Sequence, residues 1–262
     1  MAQAGIDYLT PSDAAYPQLL REIPDPPICL YRQGRHDLRQ PCLAVIGSRR
    51  TTHYGLAIAR QLAADLALSG YCIVSGLARG IDTAAHEGAL AAGGRTVAVL
   101  GTGLDTIYPP ENLELSRRIA ETGAVLSEFR LGSPATKQSF PMRNRIVSGM
   151  SDAIIVVESD VDGGAMITAR LAGEQGRTVF AVPGRIDQPT SAGCHQLIRD
   201  GAALVTCVDD ILSELSHFPA LRPQRAGRAN LPAAASLSAG LMMLELRRLI
   251  AKRLDGAYEA CG

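Results

Sequence analysis

Seven short apolar runs punctuate the chain between residues 43 and 206: LAVIG, CIVSG, TVAVLG, AVLSEF, AIIVVES, TVFAVPG and ALVT. None alternates apolar with polar positions, and longer segments with helical spacing separate them. Strands without alternation are covered on both faces, and helices between them impose right-handed crossovers and a mostly parallel sheet. The pattern predicts an α/β domain over 41–215, an extended Rossmann-like, doubly wound sheet with helices on both faces. Several runs end in Gly or Ser just before a helix, at Gly47-Ser48, Ser75-Gly76 and Gly101-Thr102-Gly103. The ligand crevice of such sheets lies beyond the carboxyl ends of the strands, so these residues are expected along one rim.

The flanks read differently. Residues 1–40 are broken by prolines and leave room for one short helix near Tyr16 to Glu22, so they read as an arm packed on the core. Residues 216–240 are rich in Pro, Ala and Arg, as a linker would be. Over 241–262 the spacing of Met242, Leu246, Leu249 and Ile250 predicts a short helix, Leu241 to Leu254, docked on the core or left as the stub of a further module.

Composition adds limits. The 262 residues are 47% hydrophobic and 20% charged, enough for one substantial core. No apolar run reaches the ~20 residues that span a bilayer, and the N-terminus lacks a signal-peptide pattern, so a cytoplasmic, non-membrane protein is expected. Cys29, Cys42, Cys72, Cys194, Cys207 and Cys261 form no C-x-x-C pair and have no histidine at metal spacing, so neither a disulfide frame, a metal nor a cofactor is expected. Lys+Arg and Asp+Glu both total 26, so any nucleic-acid role must rest on a local patch.

Such a patch can be assembled from four segments. In AVIGSRRTTHYG, Gly47 permits close backbone approach, while the Ser48 hydroxyl, the Arg49 guanidinium and free amides at a helix start suit an anion. SGLARGIDTAAHEGAL repeats the arrangement, with Arg79 as cation and Asp82 or Thr83 as cap of a helix from near Ala84; His86 reads as a surface or core histidine. In KQSFPMRNRIVSG, Lys137, Phe140, Arg143 and Arg145 combine backbone-tracking cations with a ring on which a base can stack, at ~1–3 kcal/mol per base. Asn144 either joins them or caps a helix beginning near Ile146. Gly163-Gly164 opens the helix of Thr168 and Arg170, another point of backbone approach. Each segment alone is equally compatible with an ordinary turn or a locally paired arginine.

Taken in order, AVIGSRRTTHYG, VSGLARGIDTAAHEGAL, AVLGTGLDTIYPPEN, FPMRNRIVSGMSDAIIVVES, GGAMITARLAGEQGRTVFAVPG and GCHQLIRDGA resemble the DprA/Smf family of DNA-processing proteins over roughly residues 8 to 212. The resemblance implies a non-enzymatic, homodimeric protein of natural transformation that binds and protects single-stranded DNA and loads the RecA recombinase onto it. It places the family's DNA-binding residues on Arg49, Lys137 and Phe140, with Ser48, Arg143, Asn144 and Arg145 beside them, and a dimer contact near Leu197 and Ile198. The chain departs from the family pattern at Ala165, where many members carry Ser, and at His195, where they carry Asn. Neither the N-terminal helical domain nor the winged helix of many members is recognisable in it.

Two rivals are weaker. A nucleoside-monophosphate phosphoribohydrolase of the lysine decarboxylase-like group needs P-G-G-x-G-T-x-x-E, whereas DGGAMITAR lacks the proline, the third glycine and the closing glutamate. A nicotinamide-dependent oxidoreductase needs a third glycine where Thr106 stands and an acidic residue closing the second run, which ends at Ser75-Gly76.

Overall fold

All seven apolar runs are strands of one sheet. In this computed structural model, which describes residues 5–34, 37–215, 250–252 and 258–260, they are β3 (Cys42–Ile46), β4 (Cys72–Ser75), β5 (Thr96–Leu100), β6 (Ala124–Ser127), β7 (Ala153–Val156), β8 (Thr178–Ala181) and β9 (Ala203–Leu204). They pair in parallel, in the spatial order β6-β5-β4-β3-β7-β8-β9. The connecting helices are α2 (His53–Leu68), α3 (Ile81–Ala91), α4 (Leu113–Thr122), α5 (Ser139–Gly149), α6 (Gly164–Glu174), α7 (Ala192–Arg199) and α8 (Val208–Leu215).

The N-terminal segment is more than an arm on the surface. Its one short helix, α1 (Gln18–Arg21), lies where expected, but β1 (Ile6–Leu9) and β2 (Leu30–Gly34) join the sheet, with β2 antiparallel to both β1 and β6. These two strands mix polar with apolar residues between prolines, so they carry no continuous apolar run. Arg32 Nε donates to Asp7 Oδ1 at 2.9 Å across the β1–β2 pair.

Alternate residues of each strand feed opposite cores. Ala44, Ile46, Val74, Val99 and Val156 meet Leu20, Ile146 and Ala169 from α1, α5 and α6. Leu43, Val45, Ile73 and Ile155 meet Ala59, Leu62, Ala85 and Ile211 from α2, α3 and α8. At ~25 cal/mol per Å² of apolar surface removed from water, these two layers dominate the stability of the domain.

The second unit, Gln224–Gly262, is described only at β10 (Ile250–Lys252) and β11 (Tyr258–Ala260), which pair antiparallel. Strand therefore replaces the helix expected there, at least over Ile250–Lys252: an apolar stripe with no cap is a weak helix signal at that length. The expected linker at 216–240 lies outside the described residues.

Candidate nucleic-acid interface

The strand order reverses at β3, whose neighbours are β4 on one side and β7 on the other. The loops leaving β3 and β7 diverge there, and a groove of about 830 Å³ opens beyond the strand ends. Gly47, Ser48 and Arg49 form one wall; Lys137, Phe140 and Asn144 another; Gly163, Gly164, Ala165 and Thr168 a third.

The Ser48–Thr52 loop is tied to the end of β7 by Glu158. The Ser48 amide donates to the Glu158 carbonyl at 2.6 Å, Thr52 N donates to Glu158 Oε2 at 2.9 Å and Thr52 Oγ1 to Oε1 at 2.6 Å. Thr52 Oγ1 in turn accepts from Gly55 N at 3.1 Å, capping α2. Ser48 Oγ is engaged within its own loop, donating to the Arg50 carbonyl at 2.9 Å. Arg49 projects outward, and its guanidinium lies 4.8 Å from the centroid of the half-buried Phe140 ring. Phe140 also meets Tyr108, with centroids 5.7 Å apart. Lys137 is exposed just ahead of α5.

The floor is built from a strained turn. Leu77 is buried with φ +56, and Gly80 opens α3 with φ +79, where a Cβ would stand 2.4 Å from the Ser48 carbonyl oxygen. A buried residue held at positive φ costs of order 1–3 kcal/mol and persists only where its surroundings fix it. Here Asp82 Oδ2 accepts from Gly76 N at 3.1 Å and Ala78 N at 3.4 Å, and Asn112 Nδ2 donates to the Leu77 carbonyl at 2.9 Å. Burial raises the Asp82 carboxyl above its ordinary pKa, against the opposing pull of Arg143 and the two amides.

The remaining expected residues lie at different depths in the groove and distances from it. Arg143 is 3% exposed: it lies in the groove floor, donates from Nη1 to the Val99 carbonyl at 2.7 Å, and is packed so closely on Gly76 that a Cβ there would come within 1.7 Å of Nη1. Burial lowers its pKa to about 10 even with the Asp82 carboxylate opposing. It stands as a pillar in the groove floor. Arg145 lies away from the groove, its Nη1 and Nη2 donating to Glu128 at 2.8 and 2.7 Å and its Nε to Asp25 Oδ2 at 2.9 Å, so it ties the N-terminal segment to the end of β6. Arg79 stands outside the lining, paired with Glu111 and 5.8 Å from the Tyr108 ring. Asn144 caps no helix, because α5 starts at Ser139 with Pro141 in its first turn, where a missing N–H costs nothing; its Nδ2 donates to the Gly164 carbonyl at 3.5 Å instead. Asp82 likewise sits inside α3, which begins at Ile81 rather than near Ala84.

Gly163 and Gly164 do open α6 into the groove, and Thr168 is buried behind them with its hydroxyl on the Gly164 carbonyl at 3.4 Å. His195 hydrogen-bonds the Gly184 carbonyl at 3.0 Å, away from the groove. His86 is a core histidine, its Nδ1 2.7 Å from Thr96 Oγ1. Leu197 and Ile198 on α7 are half-buried against the core. The sequence assigns neither Tyr108 nor Glu158 a contact, although the Tyr108-Pro109-Pro110 segment suits a rim loop and Glu158 is a lone carboxylate closing the apolar run AIIVVES.

The family described as DNA recombination-mediator protein A matches residues 7–216. The chain belongs to the DNA recombination-mediator protein A family. Among its relatives, DNA processing protein DprA of Streptococcus pneumoniae is 46% identical over 203 residues, 77% of this chain and 72% of that protein. Protein Smf of Synechocystis is 44% identical over 224 residues, 84% of this chain but 56% of that protein, so the chain spans little more than half its length. The X-ray structure of the Streptococcus pneumoniae DprA superposes with a TM-score of 0.77 at 43% identity, covering 81% of this chain and 76% of that one. DNA processing protein A of Helicobacter pylori, whose structure is described in terms of its single-stranded DNA binding mode, superposes with a TM-score of 0.73 at 33% identity, covering 81% and 96%. These relatives of the mediator family are named for DNA processing, not for an enzymatic activity. No helix among the described residues of this family member is long and apolar enough to cross a membrane.

Proposed function

We propose that this chain is a cytoplasmic, non-enzymatic protein that holds single-stranded DNA in the β3/β7 groove, protects it during transformation and passes it to a RecA recombinase. The carrying observation is the convergence of Arg49, Lys137 and Phe140 at one groove mouth, opposite the N-terminus of α6 at Gly164. Single strands are held by cations that follow the backbone and rings that accept any base, and this groove offers both. The described single-strand binding mode of the Helicobacter pylori relative supports the reading. Arg49, Lys137 and the start of α6 at Gly164 take phosphates, Phe140 takes a base, Asn144 joins α5 to α6 through the Gly164 carbonyl, and Thr168 braces the first turn of α6. A homodimer formed around Leu197 and Ile198 would present two grooves to one strand, adding avidity without new contacts.

The test is an anisotropy titration with single- and double-stranded oligonucleotides of equal length, run with light scattering. Single strands are expected to bind more tightly, Lys137→Ala to weaken them, and the protein to scatter as a dimer. Equal affinity for both DNA forms, untouched by Lys137→Ala, would contradict the groove assignment.

A further inference from the structure

The contacts at the groove mouth continue past the residues assigned so far. Arg49 lies 4.8 Å from the Phe140 centroid, Phe140 lies 5.7 Å from Tyr108 at an interplanar angle of 46°, and Arg79 lies 5.8 Å from the Tyr108 centroid. The series leads outward: Phe140 and Tyr108 line the groove and Arg79 stands beyond it. Phe140 is already closely attended, by the Arg49 guanidinium and by Gly101, where a Cβ would lie 3.0 Å from its Cδ1. Tyr108 is the more open ring, 38% exposed. Its loop is anchored, because the buried Asn112 donates to the Leu77 carbonyl at 2.9 Å and to Thr83 Oγ1 at 2.8 Å. A ring already held in place loses little freedom when a base stacks on it.

We propose that Tyr108 is a second base-stacking platform, over which a single strand leaves the groove towards Arg79. The inference rests on the reading that the groove holds single-stranded DNA. Stacking uses the ring and not the hydroxyl, and Tyr108 carries no formal charge, so it should contribute affinity without adding to salt dependence.

The chain contains no tryptophan, so Tyr108→Trp introduces a single fluorescent reporter. Titrated with end-labelled oligothymidylate, this variant is expected to lose tryptophan fluorescence with the same midpoint as the rise in label anisotropy. Tyr108→Ala is expected to weaken binding roughly 5- to 150-fold with an unchanged salt slope, and Tyr108→Phe to bind as the wild type does. Two results would overturn the inference while leaving the groove assignment standing: binding by Tyr108→Trp with no fluorescence change, or wild-type affinity in Tyr108→Ala. Failure of the wild-type protein to bind any single strand would overturn both.

Discussion

Replacing Arg143 separates a pillar from a ligand contact. The guanidinium is buried beneath the groove, holds the Val99 carbonyl at 2.7 Å and opposes the buried Asp82 carboxylate. Arg143→Met keeps most of the side-chain volume but removes the donor to the Val99 carbonyl and a cation near the buried Asp82, and stripping a buried polar group of its partner costs about 1–3 kcal/mol. At 2–4 °C per kcal/mol for a domain of this size, the melting temperature should fall by roughly 2–12 °C. The loss should be larger at pH 8 than at pH 5. Burial already raises the Asp82 pKa, so its contribution is present below the unfolded carboxylate value and lost as pH rises through the folded one; without Arg143 that folded value moves higher and the loss extends further up the pH scale. Thermal melts of both proteins at the two pH values, with single-strand affinity measured well below the lower melting temperature, provide the assay. An unchanged melting temperature together with a salt slope flattened by about 0.7, the signature of one lost phosphate contact, would refute the pillar assignment.

Other consequences follow from single contacts. Glu111 neutralises Arg79 at the groove exit in an exposed ion pair of small intrinsic worth, so Glu111→Ala should tighten single-strand binding and steepen its salt dependence; unchanged binding in an anisotropy titration would count against a free Arg79 meeting phosphate. His86 is fully buried, and burial, reinforced by Arg143, lowers its pKa to about 3. Below about pH 6.5 the unfolded chain takes a proton that the folded chain refuses, so stability should fall by about 2 kcal/mol between pH 7 and pH 5, a dependence that urea titrations of His86→Leu should lack. Gly76→Ala should destabilise the domain strongly, because its methyl group would meet Arg143 at 1.7 Å; a urea midpoint equal to that of the wild type would show that the guanidinium can move aside.

The parallel core was legible because the strands from β3 to β7 are buried throughout and read as plain apolar runs; β8 and β9 read the same way from their apolar residues although Leu204 of β9 is exposed. Strands β1 and β2 were not legible because they are half exposed and mix charge with apolar residues, as Asp7 and Arg32 illustrate. At the site, Arg49, Lys137, Phe140 and the Gly163-Gly164 turn line one groove, since each sits at a strand end or helix start whose position the pattern dictates. Arg143 and Arg145 were not separable in sequence. They are two residues apart on α5, so a rotation of about 200° sends one under the groove and the other to Glu128 and Asp25 on the far side. Tyr108 and Glu158 reach the site through chain segments far from the basic run, and only the folded sheet brings them to it.

The groove assignment is tested most directly by the salt dependence of single-strand affinity in the wild-type protein and in Arg49→Ala. None of the ion pairs among the described residues uses Arg49, and its side chain is exposed at the groove mouth. Wild-type affinity should fall with salt, and Arg49→Ala should weaken binding while flattening the log–log slope by about 0.7. An affinity indifferent to salt, or an Arg49→Ala slope identical to that of the wild type, would contradict single-stranded DNA in this groove.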